Sequence, residues 1–145
     1  MSSLQDVRWL ELPSTTDSRG VLTAIEGGQG IPFEIKRVFY MHHVVADRGG
    51  HAHRDTEQVA IAAAGTHRID VSDGEHSQTF EMTDPVRGLY IPRMTFTRLY
   101  DFSPGAVCLV LASTHYDMGR SIRSWEDYLH AIGGDRGAPP SGGRR

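Results

Sequence analysis

The stretch Gly49-Gly50-His51-Ala52-His53-Arg54-Asp55-Thr56-Glu57 constrains this chain more than any other. In an extended segment, side chains two apart share a face. His51 and His53 then set two imidazoles side by side, with Ala52 turned the other way. Glu57 follows past a polar turn, Val59 to Ala64 is an unbroken apolar run read as a buried strand, and Gly65 opens the next turn. The spacing is H-x-H-x3-E-x7-G. A His-x-His pair arises readily by chance in a chain with 8 histidines, where it serves surface or core packing. The glutamate, the apolar run and the closing glycine argue against that bland origin. Two imidazoles that titrate near neutrality suit either metal ligation or proton transfer.

The rest of the chain reads as short strands between turns. Val7 to Leu12 is a first strand, Pro13 to Gly20 a polar turn-rich segment, and Gly20 to Glu26 a second strand. Lys36 to Val45, rich in β-branched and aromatic residues, predicts a central strand, and Ala46 to Gly50 a turn into the histidine motif. Thr66 to Ser72 and Ser77 to Met82 flank Asp73-Gly74, a hairpin signal. Gly88 to Pro92, Thr95 to Tyr100 and Ala106 to Ala112 complete the strands. Only Ser124 to Ile132 reads as a helix, with Ser124 as N-cap and Trp125, Tyr128, Leu129 and Ile132 in one apolar stripe. Many short strands without alternating helices predict an all-β barrel or sandwich.

At 145 residues this is expected to be one domain, 1–132, followed by a Gly/Pro/Ser/Arg-rich tail, 133–145, expected to be disordered. A net charge of -3 gives no electrostatic case for nucleic acid. No apolar run approaches a membrane span, and the N-terminus lacks a signal-peptide core, which predicts no membrane partner and a cytoplasmic location. The lone Cys108, in the apolar run Ala106 to Ala112, reads as a buried small hydrophobe.

The histidine motif resembles the first signature of the cupin superfamily, small antiparallel β-barrels with chemistry in the barrel mouth. Metal-binding cupins commonly add a histidine from a second motif. The corresponding stretch here, Gly88 to Thr97, holds Met94 at the glycine place and Thr97 at the histidine place. A three-ligand site of His51, His53 and Glu57 remains chemically possible, as in a metal-dependent, dioxygenase-like cupin. The other use is acid–base work: removing a proton α to a carbonyl needs a positioned base and stabilisation of the developing enolate. A non-catalytic sugar-binding barrel is a third reading.

A narrower resemblance covers about Asp17 to Tyr128. Asp17-x-Arg19-Gly20, Ile31-Pro32-Phe33-Glu34-Ile35-Lys36-Arg37-Val38-Phe39-Tyr40, Arg48-Gly49-Gly50-His51-Ala52-His53, Glu57-Gln58, Gly88-Leu89-Tyr90, Asp101-Phe102-Ser103, Leu111-Ala112-Ser113 and Tyr116-Asp117 carry it. In these the chain resembles the dTDP-4-keto-6-deoxyglucose 3,4-ketoisomerases of the cupin superfamily. That resemblance implies a jelly-roll barrel, a homodimer, a dTDP-linked keto sugar as substrate, and catalysis by His51 and His53 without metal or cofactor. Phe96 and Thr97 stand where the family often has Trp and His.

Arginine suits a diphosphate through its fork of N–H groups. Arg19, Arg37 and Arg48, which sit inside the matching motifs, are the candidates, against solvated strand-edge arginines. Lys36 and Arg37 are adjacent, so one faces the interior, and Arg37 is taken as that one. Tyr40 and Tyr116 each read either as a donor to a sugar oxygen or as a packed tyrosine. Gln58 is a candidate partner for the sugar or a histidine. At least one of His42 and His43 is expected at the surface, and His67, His76, His115 and His130 to be structural or solvated.

Overall fold

The computed structural model describes residues 4–133, so the tail expected to be disordered lies, but for Gly133, outside the described residues. The apolar runs become strands that pair antiparallel throughout: β1 (Arg8–Glu11), β2 (Ser14–Asp17), β3 (Gly20–Thr23), β4 (Arg37–Met41), β5 (Arg48–His53), β6 (Gln58–Ala64), β7 (His67–Ser72), β8 (Ser77–Met82), β9 (Arg87–Ile91), β10 (Phe96–Tyr100), β11 (Val107–Ala112) and β12 (Ser121–Ile122), followed by helix α1 (Trp125–Ile132). One five-stranded sheet runs β1-β9-β6-β11-β4 and the other β12-β5-β10-β7-β8, with β2-β3 as a separate hairpin. Among the described residues the fold is all-β with one short α-helix, a cupin-like jelly roll.

The core lies between the two sheets. Ala60, Ala62 and Leu89 of the first sheet meet Ile69, Val71 and Phe80 of the second. Val59 and Ile61 point to the opposite face of β6, where Leu12, Ile31, Tyr90 and Leu111 form a separate cluster, padded by Phe33 and Ile35. From Val59 to Ala62 strand β6 is therefore covered on both sides, which is why this stretch is continuously apolar and does not alternate, whereas Ala63 and Ala64 at its end are exposed. Cys108 is fully buried, and burial pushes its thiol up to about 12, so it packs as a small apolar group.

Helix α1 closes the outer face of the second sheet. The Ser124 hydroxyl accepts from the Asp127 N–H at 3.1 Å, and Gly133 ends the helix in the left-handed conformation, φ 93°. Trp125, Tyr128 and Leu129 pack on Ala52, Met94 and Phe96, the arrangement the stripe predicts.

Three expectations are corrected. Pro13 to Gly20 is not all turn: Ser14–Asp17 forms β2, a polar strand paired with β3 alone. Strand β4 is shorter than Lys36 to Val45 and lies at a sheet edge, not centrally, because only β11 pairs with it. The segment Ala46 to Gly50 is not simply a turn, since β5 begins at Arg48 and takes both glycines into the ladder.

Candidate active site

Strand β5 carries the histidines past a β-bulge. Thr97 of β10 pairs with His51 and Arg98 with Gly49, leaving Gly50 as the extra residue. Gly49 has φ 127° and Gly50 φ 76°, and a Cβ on Gly49 would come within 2.5 Å of the Arg98 Cα. Only glycine lets β5 approach β10 this closely. Beyond the bulge the strand alternates: Ala52 packs beneath α1, while His51 and His53 turn into the barrel mouth.

The mouth is a cavity of about 870 Å³, within the range of small-molecule sites. Ala60, Ile69, Ile91, Leu99 and Val110 form its apolar floor. The two imidazoles lie edge to face on its wall, ring centroids 5.7 Å apart. Both are held neutral. Burial depresses His53 to about 4, helped by competition with the His51 imidazole, since two adjacent cations are disfavoured, and by the charges of Arg37 and Arg123. Burial also lowers His51, opposed by a hydrogen bond to the Gly49 backbone that favours the protonated ring. A backbone acceptor of that kind needs a ring N–H, so the other nitrogen of neutral His51 carries a lone pair. The Nδ1 of His53 lies 3.3 Å from the Ser121 hydroxyl oxygen.

Arginines surround the imidazoles. Arg37, Arg48, Arg120 and Arg123 all border the cavity. Arg120 is paired with Asp55 at 2.5 Å. The Arg37 guanidinium faces the Phe39 ring at 5.2 Å and the Tyr116 ring at 5.6 Å, and its buried Nε lacks a hydrogen-bond partner. Gln58 and Tyr116 also line the cavity, Tyr116 at its exposed rim.

Arg19 and Tyr40 are set differently from the other expected binding residues. Arg19 sits in the β2–β3 turn, outside the cavity, in an exposed ion pair with Asp17 at 2.6 Å. Tyr40 borders the cavity from β4, but at three residues from Arg37 its side chain lies on the other face of that strand. Phe39 and Met41 pack inward, whereas the Tyr40 side is exposed and its ring lies 5.6 Å from that of His42. His42 and His43 are both at the surface, their Nδ1 atoms 2.7 Å apart. Glu57 does not join the histidines. Its carboxylate accepts the Tyr90 hydroxyl at 2.6 Å, and Arg8 covers that ring on the outside of the sheet. The three-ligand arrangement is therefore not assembled, and among the described residues no other group of three His, Cys, Asp or Glu side chains is placed to hold a metal.

Thr97, Ser121 and Arg123 escaped the sequence reading. In the sequence Thr97 stands out only as an absent histidine, yet its hydroxyl donates to the His51 carbonyl at 3.3 Å. Ser121 and Arg123 belong to a segment with no periodic signal, and only the pairing of β12 with β5 brings them to the cavity.

Comparison with known proteins bears on this geometry. The family model FdtA (WxcM-like, C-terminal) matches residues 5–133. A TDP-4-oxo-6-deoxy-alpha-D-glucose-3,4-oxoisomerase of Aneurinibacillus thermoaerophilus is 40% identical over 118 residues, covering 80% of this chain and 85% of that protein. A 3,4-ketoisomerase structure from Helicobacter canadensis superposes with a TM-score of 0.84 at 36% identity, covering 88% of this chain and 97% of its own. A mutant of the 3,4-ketoisomerase QdtA from Thermoanaerobacterium thermosaccharolyticum, solved with TDP-4-keto-6-deoxyglucose, gives 0.85 at 36% identity, covering 89% and 95%.

Proposed function

The chain belongs to the FdtA family, and on that premise we propose that it is a dTDP-sugar 3,4-ketoisomerase converting dTDP-4-keto-6-deoxyglucose into a dTDP-3-keto-6-deoxyhexose. The observation that carries the reading is the pair His51 and His53, both neutral at pH 7, set side by side in a cavity rimmed by arginines.

The C3 proton of such a sugar is acidic because C4 is a ketone. A neutral imidazole removes it, and O4 takes up a proton to give the 3,4-enediol. The O3 hydroxyl then gives up its proton while C4 receives one, leaving the ketone at C3. Each proton lost is matched by one gained, no electrons leave the sugar, and this route needs no metal or redox cofactor.

Arg37, Arg48 and Arg123 supply cationic donors for the diphosphate, whereas Arg120 is already engaged by Asp55. Arg37 and Arg123 are also among the groups that depress His53. A bound diphosphate offsets their charge, so substrate binding raises the basicity of the imidazoles at the moment it is needed. Gln58 and Tyr116, which line the same cavity, are the neutral donors assigned to the sugar in this reading.

A second copy of the chain is the partner we assign to an exposed apolar surface. Val21 and Leu22 on the β2–β3 hairpin, and Val38 and Tyr40 on the outer face of edge strand β4, all stand more than half exposed. In such a homodimer Tyr40 serves the interface, and Arg19 reaches a cavity only if its hairpin crosses to the other subunit. Light scattering is expected to give twice the chain mass, and Leu22→Asp with Val38→Asp to give the monomer.

Incubation of the purified chain with dTDP-4-keto-6-deoxyglucose and proton NMR of the products tests the reaction. A 3-keto species is the expected product, and its C4 coupling constants give the configuration. Unchanged substrate in the presence of folded protein would overturn the assignment.

A further inference from the structure

The two catalytic candidates are anchored differently. His51 is tied to a backbone group of its own strand, but His53 is tied to a side chain from a distant segment. We propose that Ser121 is a positioning residue for His53, its hydroxyl accepting from Nδ1–H so that the bare Nε2 is presented to the sugar.

The local structure holds Ser121 from several sides. Strand β12 pairs with β5 so that Ser121 lies opposite His53 and Ile122 opposite Ala52. The Arg54 N–H donates to the Arg120 carbonyl at 3.0 Å, and Arg120 is itself paired with Asp55 on the turn that follows β5. On the other side Ile122 enters the cluster beneath α1, where the Tyr128 hydroxyl donates to the Met94 carbonyl at 2.7 Å. The Met94 N–H in turn donates to the His53 carbonyl at 2.7 Å. Helix α1 and the short strand before it thus fix both the backbone and the ring of His53, which gives this C-terminal segment a role in the site beyond covering the sheet.

The chemistry follows from proton accounting. For Nε2 to take a proton from the sugar and return it, Nδ1 must keep its own proton throughout. A hydroxyl acceptor stabilises that tautomer in both the neutral and the protonated ring. Without it, a neutral imidazole in contact with water favours the proton on Nε2, and in that tautomer Nε2 has no lone pair to act as a base.

The test rests on the proposed reaction only in part, because the ring can be read without substrate. Nitrogen-15 NMR of the imidazoles at pH 8 is expected to show His53 as the Nδ1–H tautomer in the parent and in Ser121→Thr, and as predominantly Nε2–H in Ser121→Ala. In kinetics, Ser121→Ala is expected to lose about tenfold in kcat with KM nearly unchanged, as for one lost hydrogen bond, and Ser121→Thr to restore it. An unchanged His53 tautomer in Ser121→Ala, or a kcat that Ser121→Thr fails to restore, would overturn the proposal. A tautomer shift in a folded protein that isomerises no sugar would uphold the role of Ser121 on the ring and overturn the reaction reading instead.

Discussion

His53 and His67 are both depressed to about 4, and burial is the leading cause in each. Their surroundings differ in every other respect. His53 lines an open cavity, has Ser121 on Nδ1, and is flanked by a second imidazole and by arginines. His67, at the start of β7, is 1% exposed, lies flat on the Phe102 ring at 4.7 Å, and has no hydrogen-bond partner on either ring nitrogen. A shifted pKa alone therefore does not mark a catalytic group. A place on the cavity wall, a hydroxyl beside one ring nitrogen and a neighbouring titratable group set His53 apart, and these are what the proposed reaction draws on.

The comparison is sharpest when each imidazole is removed. His51→Asn and His53→Asn are each expected to lose on the order of 10³-fold in kcat, the scale of general acid–base catalysis, with little change in melting temperature. His67→Phe is expected to leave kcat and KM as they are, and steady-state kinetics on the three variants checks both halves. A histidine variant at β5 with full turnover would collapse the distinction.

Charge around the β5 pair comes next. Arg37→Ala or Arg123→Ala is expected to raise KM roughly tenfold or more, as for a lost charged hydrogen bond, with a smaller change in kcat. The same changes are expected to raise the pKa of His53 in the free protein, because a repelling cation is gone. Histidine titration by NMR reads that shift. Gly49→Ala attacks the strand and not the chemistry: strain at φ 127° and the close approach to Arg98 are expected to cost about 2–3 kcal/mol in denaturant unfolding and to displace His51.

The smallest effect belongs to His67. The folded protein holds it neutral down to about pH 4, whereas the unfolded chain protonates near 6.5. The unfolded state binds more protons between those values, so the stability contribution is intact above pH 6.5 and is lost as pH falls toward 4. His67→Phe is expected to stabilise the protein by about 1–2 kcal/mol at pH 5 and to flatten this dependence, since it removes a buried polar group that has no partner. Thermal melts at pH 5 and pH 8 measure it.

Much of this is legible in the sequence. The phase of His51, Ala52 and His53 gives the two-faced strand, the unbroken run after Glu57 gives a strand covered on both sides, and Ser124 marks the helix start. Strand β2 was hidden because Thr15 and Thr16 have no apolar neighbours to alternate with and pair only with an equally exposed β3. The edge position of β4 depends on long-range pairing that composition does not encode. Tyr40 is different: its odd spacing from Arg37 already places the two side chains on opposite faces of β4. Ser121 and Arg123 become visible only through the register of β12 on β5.

The most direct test of the central claim is solvent exchange. Chelator-treated parent protein, His51→Asn and His53→Asn are each incubated in D₂O with dTDP-4-keto-6-deoxyglucose and followed by proton NMR. The parent is expected to incorporate deuterium at C3 and C4 as the 3-keto species forms, and both variants to lose that incorporation while remaining folded. Undiminished exchange in both folded variants, or none in the parent, would contradict the claim that the paired imidazoles of β5 move the protons.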